Sequence, residues 1–181
     1  SVTVNALHAG GFTNTGCGSC FDPDTWPLPN VHLGVSVEDQ ETADARIPLL
    51  VRCPAAVRFV SYEPALGPVD FSRFGPRLAS MGEGARGLRV VPGLNWIIVG
   101  GESGPNARPF DLAWARSSIE QCRAAGVACF VKQIGAIAVD SRFAEKDGTP
   151  GFIAGLRDRA GADPSEWPEE LRVQEFPEVV T

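Results

Sequence analysis

The sequence has 181 residues, 44% of them hydrophobic and 21% charged, which is the balance of a globular chain able to bury one sizeable core. Its net charge of −6 excludes broad, phosphate-driven binding of nucleic acid, which needs a basic face, but leaves room for a small nucleotide. No apolar run is long enough to cross a bilayer, and residues 1–10 lack the basic start and apolar block of a secretory signal, so the chain reads as cytoplasmic with no membrane partner.

Residues 1–29 are punctuated by Gly and Pro and read as an irregular N-terminal segment. The first residue is Ser rather than Met, which points to a processed or trimmed product. A pattern then recurs four times: a short apolar strand, then a polar residue at its end. The strands are expected at 31–37, ending at Glu38; at 57–62, ending at Glu63; at 96–101, ending at Glu102; and at 127–131, ending at Lys132. Their β-branched and aromatic content suits strands, and their near-continuous apolarity suits a parallel sheet covered on both faces. A helix is expected over 39–51, with Ala43, Ile47, Leu50 and Val51 on one face and Pro48 marking a kink or the start of a second turn. A clearer one covers 112–125, capped by Asp111 and ended by Gly126. Residues 64–93 read as a long loop with one short helix around 77–81, and 134–155 as a second loop-rich stretch. The tail carries one helical turn at 163–167.

Alternating strands and helices imply parallel strands joined by right-handed crossovers. The fold class is therefore α/β: a partial, half β/α barrel of four parallel strands with flanking helices. It spans 30–155, between the irregular segment 1–29 and a tail over 156–181 that packs on it. Four strands cannot close a barrel, which typically needs eight. The two sheet edges and the open interior call for a cover: residues 1–29, the tail, a second copy or an N-terminal half.

Ligands of parallel α/β folds bind at the C-terminal strand ends, where Glu38, Glu63, Glu102 and Lys132 fall, with Ser36, Ser61 and Ser103 beside them. Such a set can bind an amine or ribose hydroxyls, move protons, or hold a hard metal ion. Taken alone, Glu38 and Glu63 also read as helix N-terminal charges, and Glu102 with Arg108 or Lys132 as a structural ion pair. Gly100 and Gly101 let a ligand approach the backbone, and Arg108 can fork onto a carboxylate or phosphate. The five cysteines, an odd number, fit reduced thiols. Cys17 and Cys20 have the CxxC spacing of a metal pair but no second pair to complete four ligands. Cys53, Cys122 and Cys129 read as small core residues, and Trp26, Trp96, Trp114 and Trp167 as core or tail-packing residues.

Several stretches together resemble a known family. They are Pro29-Asn30-Val31-His32-Leu33-Gly34-Val35-Ser36-Val37-Glu38, Arg58-Phe59-Val60-Ser61-Tyr62-Glu63-Pro64, Ile98-Val99-Gly100-Gly101-Glu102-Ser103-Gly104, Phe130-Val131-Lys132-Gln133 and Glu166-Trp167-Pro168-Glu169-Glu170-Leu171. The chain is similar, from about Pro27 to its end, to an uncharacterised bacteriophage protein family that carries a three-cysteine motif and is distantly like the radical S-adenosylmethionine (SAM) enzymes. The resemblance implies a β/α barrel and a [4Fe–4S] cluster held by three cysteines, at which SAM would yield a 5′-deoxyadenosyl radical. It also implies that the rim, now including Gln133, faces substrate and SAM, and that the protein works in a host cytoplasm. The three-cysteine motif is not matched in residues 1–29. The chain is therefore read as the C-terminal half of such a protein, inactive by itself. A non-catalytic phage binding or assembly protein, and a carboxylate metal-dependent hydrolase, are the alternatives.

Overall fold

A computed structural model of the chain describes residues 27–75, 77–80, 88–91, 93–153 and 155–178. Most of the irregular segment expected over 1–29, with Cys17, Cys20 and Trp26, lies outside the described residues. The first expected strand and helix form as β1 (His32–Val37) and α1 (Gln40–Arg52). Asp39 starts α1 through a reciprocal cap: its carboxylate accepts the Thr42 amide, and the Thr42 hydroxyl accepts the Asp39 amide. The helix runs through Pro48 as one element, held by the burial of Ala43, Ile47 and Leu50 along one face. The next strand is β2 (Val57–Tyr62), at the expected bounds.

The loop expected over 64–93 contains more structure than its Gly and Pro content suggests. A 3₁₀ turn forms at Phe71–Phe74, and β3 (Arg77–Ser80) pairs antiparallel with β4 (Leu88–Val91) where a short helix around 77–81 was expected. Local antiparallel pairing satisfies the backbone of both segments, and that is the option a four-residue stretch without helical periodicity has. Then come β5 (Trp96–Gly100), β6 (Phe110–Asp111) and α2 (Leu112–Ala125). As expected, α2 begins at the Asp111 carboxylate, which accepts the Ala113 amide, and ends at Gly126. The strand β7 (Ala128–Gln133) runs two residues beyond its expected end, so Lys132 lies within it. The stretch expected to be loop over 134–155 holds β8 (Ala138–Asp140) and β9 (Gly151–Phe152), which form a small sheet with β6.

The main sheet has the order β1-β2-β5-β7, and every pair is parallel. Its register sorts side chains into rows. Val35, Val60, Ile97 and Cys129 align across the four strands, as do Val37, Tyr62, Val99 and Val131. All eight are buried in one cluster with Ala43, Ile47 and Leu50 of α1 and Leu112, Ala115, Ile119 and Cys122 of α2. Both helices thus cover the same face. With strands in sequence order and helices on one side, this is the arrangement of an unclosed part of a β/α barrel, as expected. Cys122 and Cys129 are core residues, but Cys53 is not: it lies past the buried face of α1, at its C-terminal cap, and is exposed. Among the described residues no helix is long and apolar enough to cross a membrane.

The tail completes this core. Trp167 and Leu171 are fully buried, and the Trp167 indole donates to the Gly161 carbonyl. The turn expected at 163–167 forms as Pro164–Glu166. Past it the chain runs antiparallel along the free side of β7: the Val131 amide donates to the Val173 carbonyl and the Glu175 amide to the Cys129 carbonyl, 2.8 Å each. An ionic cluster fixes the tail to α2. Asp140, whose side chain is 1% exposed, accepts from Arg116 and Arg142, and both arginines also reach Glu170.

Two close backbone approaches set the loop that follows β5. A Cβ on Gly101 would lie 2.9 Å from Gly135 Cα, the Ile134 carbonyl and Phe110 Cβ, and a Cβ on Gly135 (φ 76°) would lie 2.9 Å from the Glu102 carbonyl oxygen. Gly101→Ala is therefore expected to destabilise the chain by about 1–3 kcal/mol through forced overpacking, measured by urea denaturation. A second expectation concerns acid. Burial raises the Asp140 pKa, but hydrogen bonds from Arg142 and Arg116 outweigh it and hold the carboxyl at about 2, below its ordinary 3.8. A depressed carboxyl contributes stability that is complete above its unfolded pKa and is lost as pH falls through the folded one. Denaturation midpoints should drop between about pH 4 and pH 2, and Asp140→Asn should lower stability at neutral pH while flattening that slope.

Candidate binding site at the strand ends

The face of the sheet away from the helices carries the alternate residues of each strand. Gly34, Phe59, Trp96 and Ala128 form one row there, and Ser36, Ser61, Ile98 and Phe130 the next row toward the C-terminal ends. The lower row is aromatic. Trp96 lies 6.0 Å from Phe59 and 6.2 Å from Phe130, ring centre to ring centre, and Phe176 of the tail lies 5.5 and 5.3 Å from Trp96 and Phe130. The Trp96 indole donates to the Glu175 carbonyl, so this tryptophan packs the tail as expected. The upper row puts the Ser36 and Ser61 side chains next to each other on adjacent strands.

Above the serines lies the polar end. A register shift between Val99 and Gly100 sets Gly100 opposite Gln133, leaving Lys132 as the extra residue of β7. The Lys132 ammonium donates to Glu63 Oε1 at 2.6 Å. These two residues belong to β7 and β2, with β5 between them. The pair spans that strand at Gly100, where a Cβ would come within 3.6 Å of the Glu63 carboxyl carbon. The Glu63 side chain is 18% exposed and its Oε2 accepts from no group among the described residues, while the Lys132 side chain is 54% exposed and has donors to spare. An ion pair open to water on one side contributes little to stability, so a ligand that offers the same charges can share it at small cost.

The other expected residues are placed differently. Glu38 turns toward α1, where Arg46 donates to both its oxygens at 3.1–3.2 Å and to the Ser36 carbonyl at 2.6 Å. Glu102 turns into its own loop: Arg108 grips it through Nε, Nη2 and the backbone amide, at 2.8–2.9 Å, and the guanidinium and amide bonds hold the carboxyl at about 2. The Glu102–Arg108 pair is one of the structural pairs that the sequence left open, whereas the Glu38–Arg46 pair was not among them. Gln133 is buried and donates to the Gly101 carbonyl, so it positions the loop rather than facing the site. Ser103 is exposed on that loop. The loop after β2 ties these ends together, with the Ala65 amide donating to the Gly100 carbonyl and the Leu66 amide to the Glu38 carbonyl.

The aromatic row and Arg46 were not picked out from sequence as site neighbours. The signal was present in the period-two positions 59, 61 and 63 of one strand and 128, 130 and 132 of another, which the strand endings alone do not show. As for metals, among the described residues no three His, Cys, Asp or Glu side chains gather where one ion could sit, and each of the three rim carboxylates already has a cation of its own. The described residues likewise do not fit a three-thiolate cluster. Cys53 is exposed beyond the end of α1, and Cys122 and Cys129 are buried on the helix-covered side.

The model of one protein family matches residues 4–163, most of the chain. No curated protein and no solved structure matches it. By that match the chain belongs to the family described as Protein of unknown function (DUF5131).

Proposed function

We propose that the chain is the ligand-holding, C-terminal half of a phage-type, radical-SAM-like protein acting in a host cytoplasm, and that its open sheet face binds SAM or the substrate at the strand ends. The observation that carries this reading is the Glu63–Lys132 pair stretched over Gly100, one row beyond Ser61 and its neighbour Ser36 on β1. A zwitterionic ligand with hydroxyls matches those groups. Its ammonium would meet the free Glu63 oxygen, its carboxylate the spare Lys132 donors, and its ribose hydroxyls the two serines. Ile98 and Phe130 offer apolar surface beside them. With a reduced cluster, SAM supplies hydrogen-atom abstraction; the described residues hold no cluster, and the chain's own part is to bind, orient and shield.

The test uses the natural gene product, purified without oxygen and reconstituted with iron and sulfide. SAM binding by calorimetry should weaken about tenfold or more in Lys132→Ala and in Glu63→Gln, as expected for loss of a charge-assisted contact. The wild type should also release 5′-deoxyadenosine under reduction. A gene product that neither binds nor cleaves SAM sinks the proposal.

A second reading, a non-catalytic binding or assembly protein, is favoured by the outer edge of β1, which pairs with no strand among the described residues. Light scattering separates the two. A stable oligomer or a captured strand partner would support assembly, and a monomer that binds SAM would not.

A further inference from the structure

A second cleft opens at the same end of the sheet, and no part of the SAM reading uses it. Gly104 and Pro105 of the loop after β5, Ala136 after β7, and Leu156, Asp158, Arg159 and Ala160 of the tail surround a cavity of about 640 Å³. That is the size of a small-molecule site. The Ala136 amide donates to the Glu102 carbonyl, which holds its two walls at the strand ends.

Two features of the cleft point to an anion. The first is a cation without a partner. In a chain of net charge −6, the neighbouring arginines are committed: Arg108 to Glu102, and Arg157 to Glu166 at 2.7 Å. Arg159 is exposed and makes no hydrogen bond or ion pair among the described residues. The second is an unused donor. Gly104 (φ 106°) and Asn106 (φ 63°) turn the loop through positive φ, and the amide of Gly104, which lines the cleft, donates to no acceptor among the described residues. No heavy atom lies within 4 Å of where a Gly104 Cβ would stand, so the backbone there can be approached. An unpaired backbone amide that can be approached from solvent can take part in binding an anion. Of the nearby carboxylates, Glu102 is paired with Arg108, and Asp158 keeps its charge but turns both oxygens onto the Ala160 and Ala162 amides of its own loop.

We infer that this cleft binds a phosphate monoester, with Arg159 and the Gly104 turn holding the phosphate and Pro105, Ala136 and Leu156 bounding the group that carries it. Arginine suits this role because its planar fork meets two phosphate oxygens at once. The apolar walls favour a nucleotide over free phosphate. The inference does not rest on the SAM proposal, since neither Glu63 nor Lys132 lines this cleft.

The test is an amide NMR titration of the full chain with AMP, inorganic phosphate and adenosine. AMP should shift the Gly104 and Ala160 resonances saturably, adenosine should not, and Arg159→Ala should weaken AMP about tenfold while Arg159→Lys recovers part of the loss. Phosphate binding as tightly as AMP would keep the anion site and assign it to free phosphate. AMP and phosphate both leaving these resonances unmoved, or AMP binding unchanged in Arg159→Ala, overturns the inference. SAM affinity at the rim is a separate readout, so either idea can fail alone.

Discussion

Two rows of apolar side chains, Val35–Val60–Ile97–Cys129 and Val37–Tyr62–Val99–Val131, decide most of what this molecule can be. In parallel strands, neighbours in register point to the same side, so these rows make one continuous apolar face. Both long helices are bound to it, since that face is where their buried stripes find water-free surface. The opposite face is thereby left without a helix. It carries rings at the N-terminal side, hydroxyls in the middle and charges at the C-terminal ends, a gradient from apolar to ionic along about one strand length. A doubly covered sheet would have buried that gradient, whereas the one-sided sheet presents it as a surface.

Charge placement along the rim follows the availability of local partners. Glu38 has Arg46 eight residues on, across the first turns of α1, and Glu102 has Arg108 six residues on in its own loop. Each acid is satisfied within its own connection. Glu63 pairs with no neighbour in its connection among the described residues, and its cation arrives from a strand two places away. That pair depends on the sheet itself, on Gly100 being bare and on the shift that exposes Lys132. It is the rim contact that a ligand can enter without dismantling a helix start or a loop.

The parts legible in the sequence are those governed by local periodicity. The four strands, the Asp111 and Gly126 ends of α2 and the turn before Trp167 follow from apolar runs and capping chemistry in short windows. The expected site was legible as a location but not as a constellation. Spacing along the chain placed four charged residues at strand ends, yet it could not show that two of them, Glu38 and Glu102, would take local arginines while Glu63 and Lys132 paired with each other. The hairpin of β3 and β4 was missed because Gly and Pro density there reads as loop, and pairing between two weak segments is a non-local fact. Cys53 was misplaced for a similar reason: it lies three residues past Leu50, the last buried position of α1, where the chain has left the core for solvent.

The two edges of the sheet are not equivalent, and this bears on how a ligand reaches the open face. Along β7 the tail occupies the hydrogen-bonding groups of Cys129 and Val131 that point away from β5, and it does so in antiparallel sense. A further parallel strand cannot add there while those bonds stand, because each backbone donor and acceptor is already paired. Phe176, which follows directly, lies over Trp96 and Phe130 on the inner face, so the tail both seals the edge and floors the N-terminal side. Any strand that extends this sheet must therefore add beside β1. Beyond the sealed stretch, the C-terminal end of β7 carries the exposed Lys132, and the Arg159 cleft lies at the same end of the sheet. Entry from this side brings a charged ligand to cations first and to the serines afterward, the order in which long-range attraction and short-range hydrogen bonding act best.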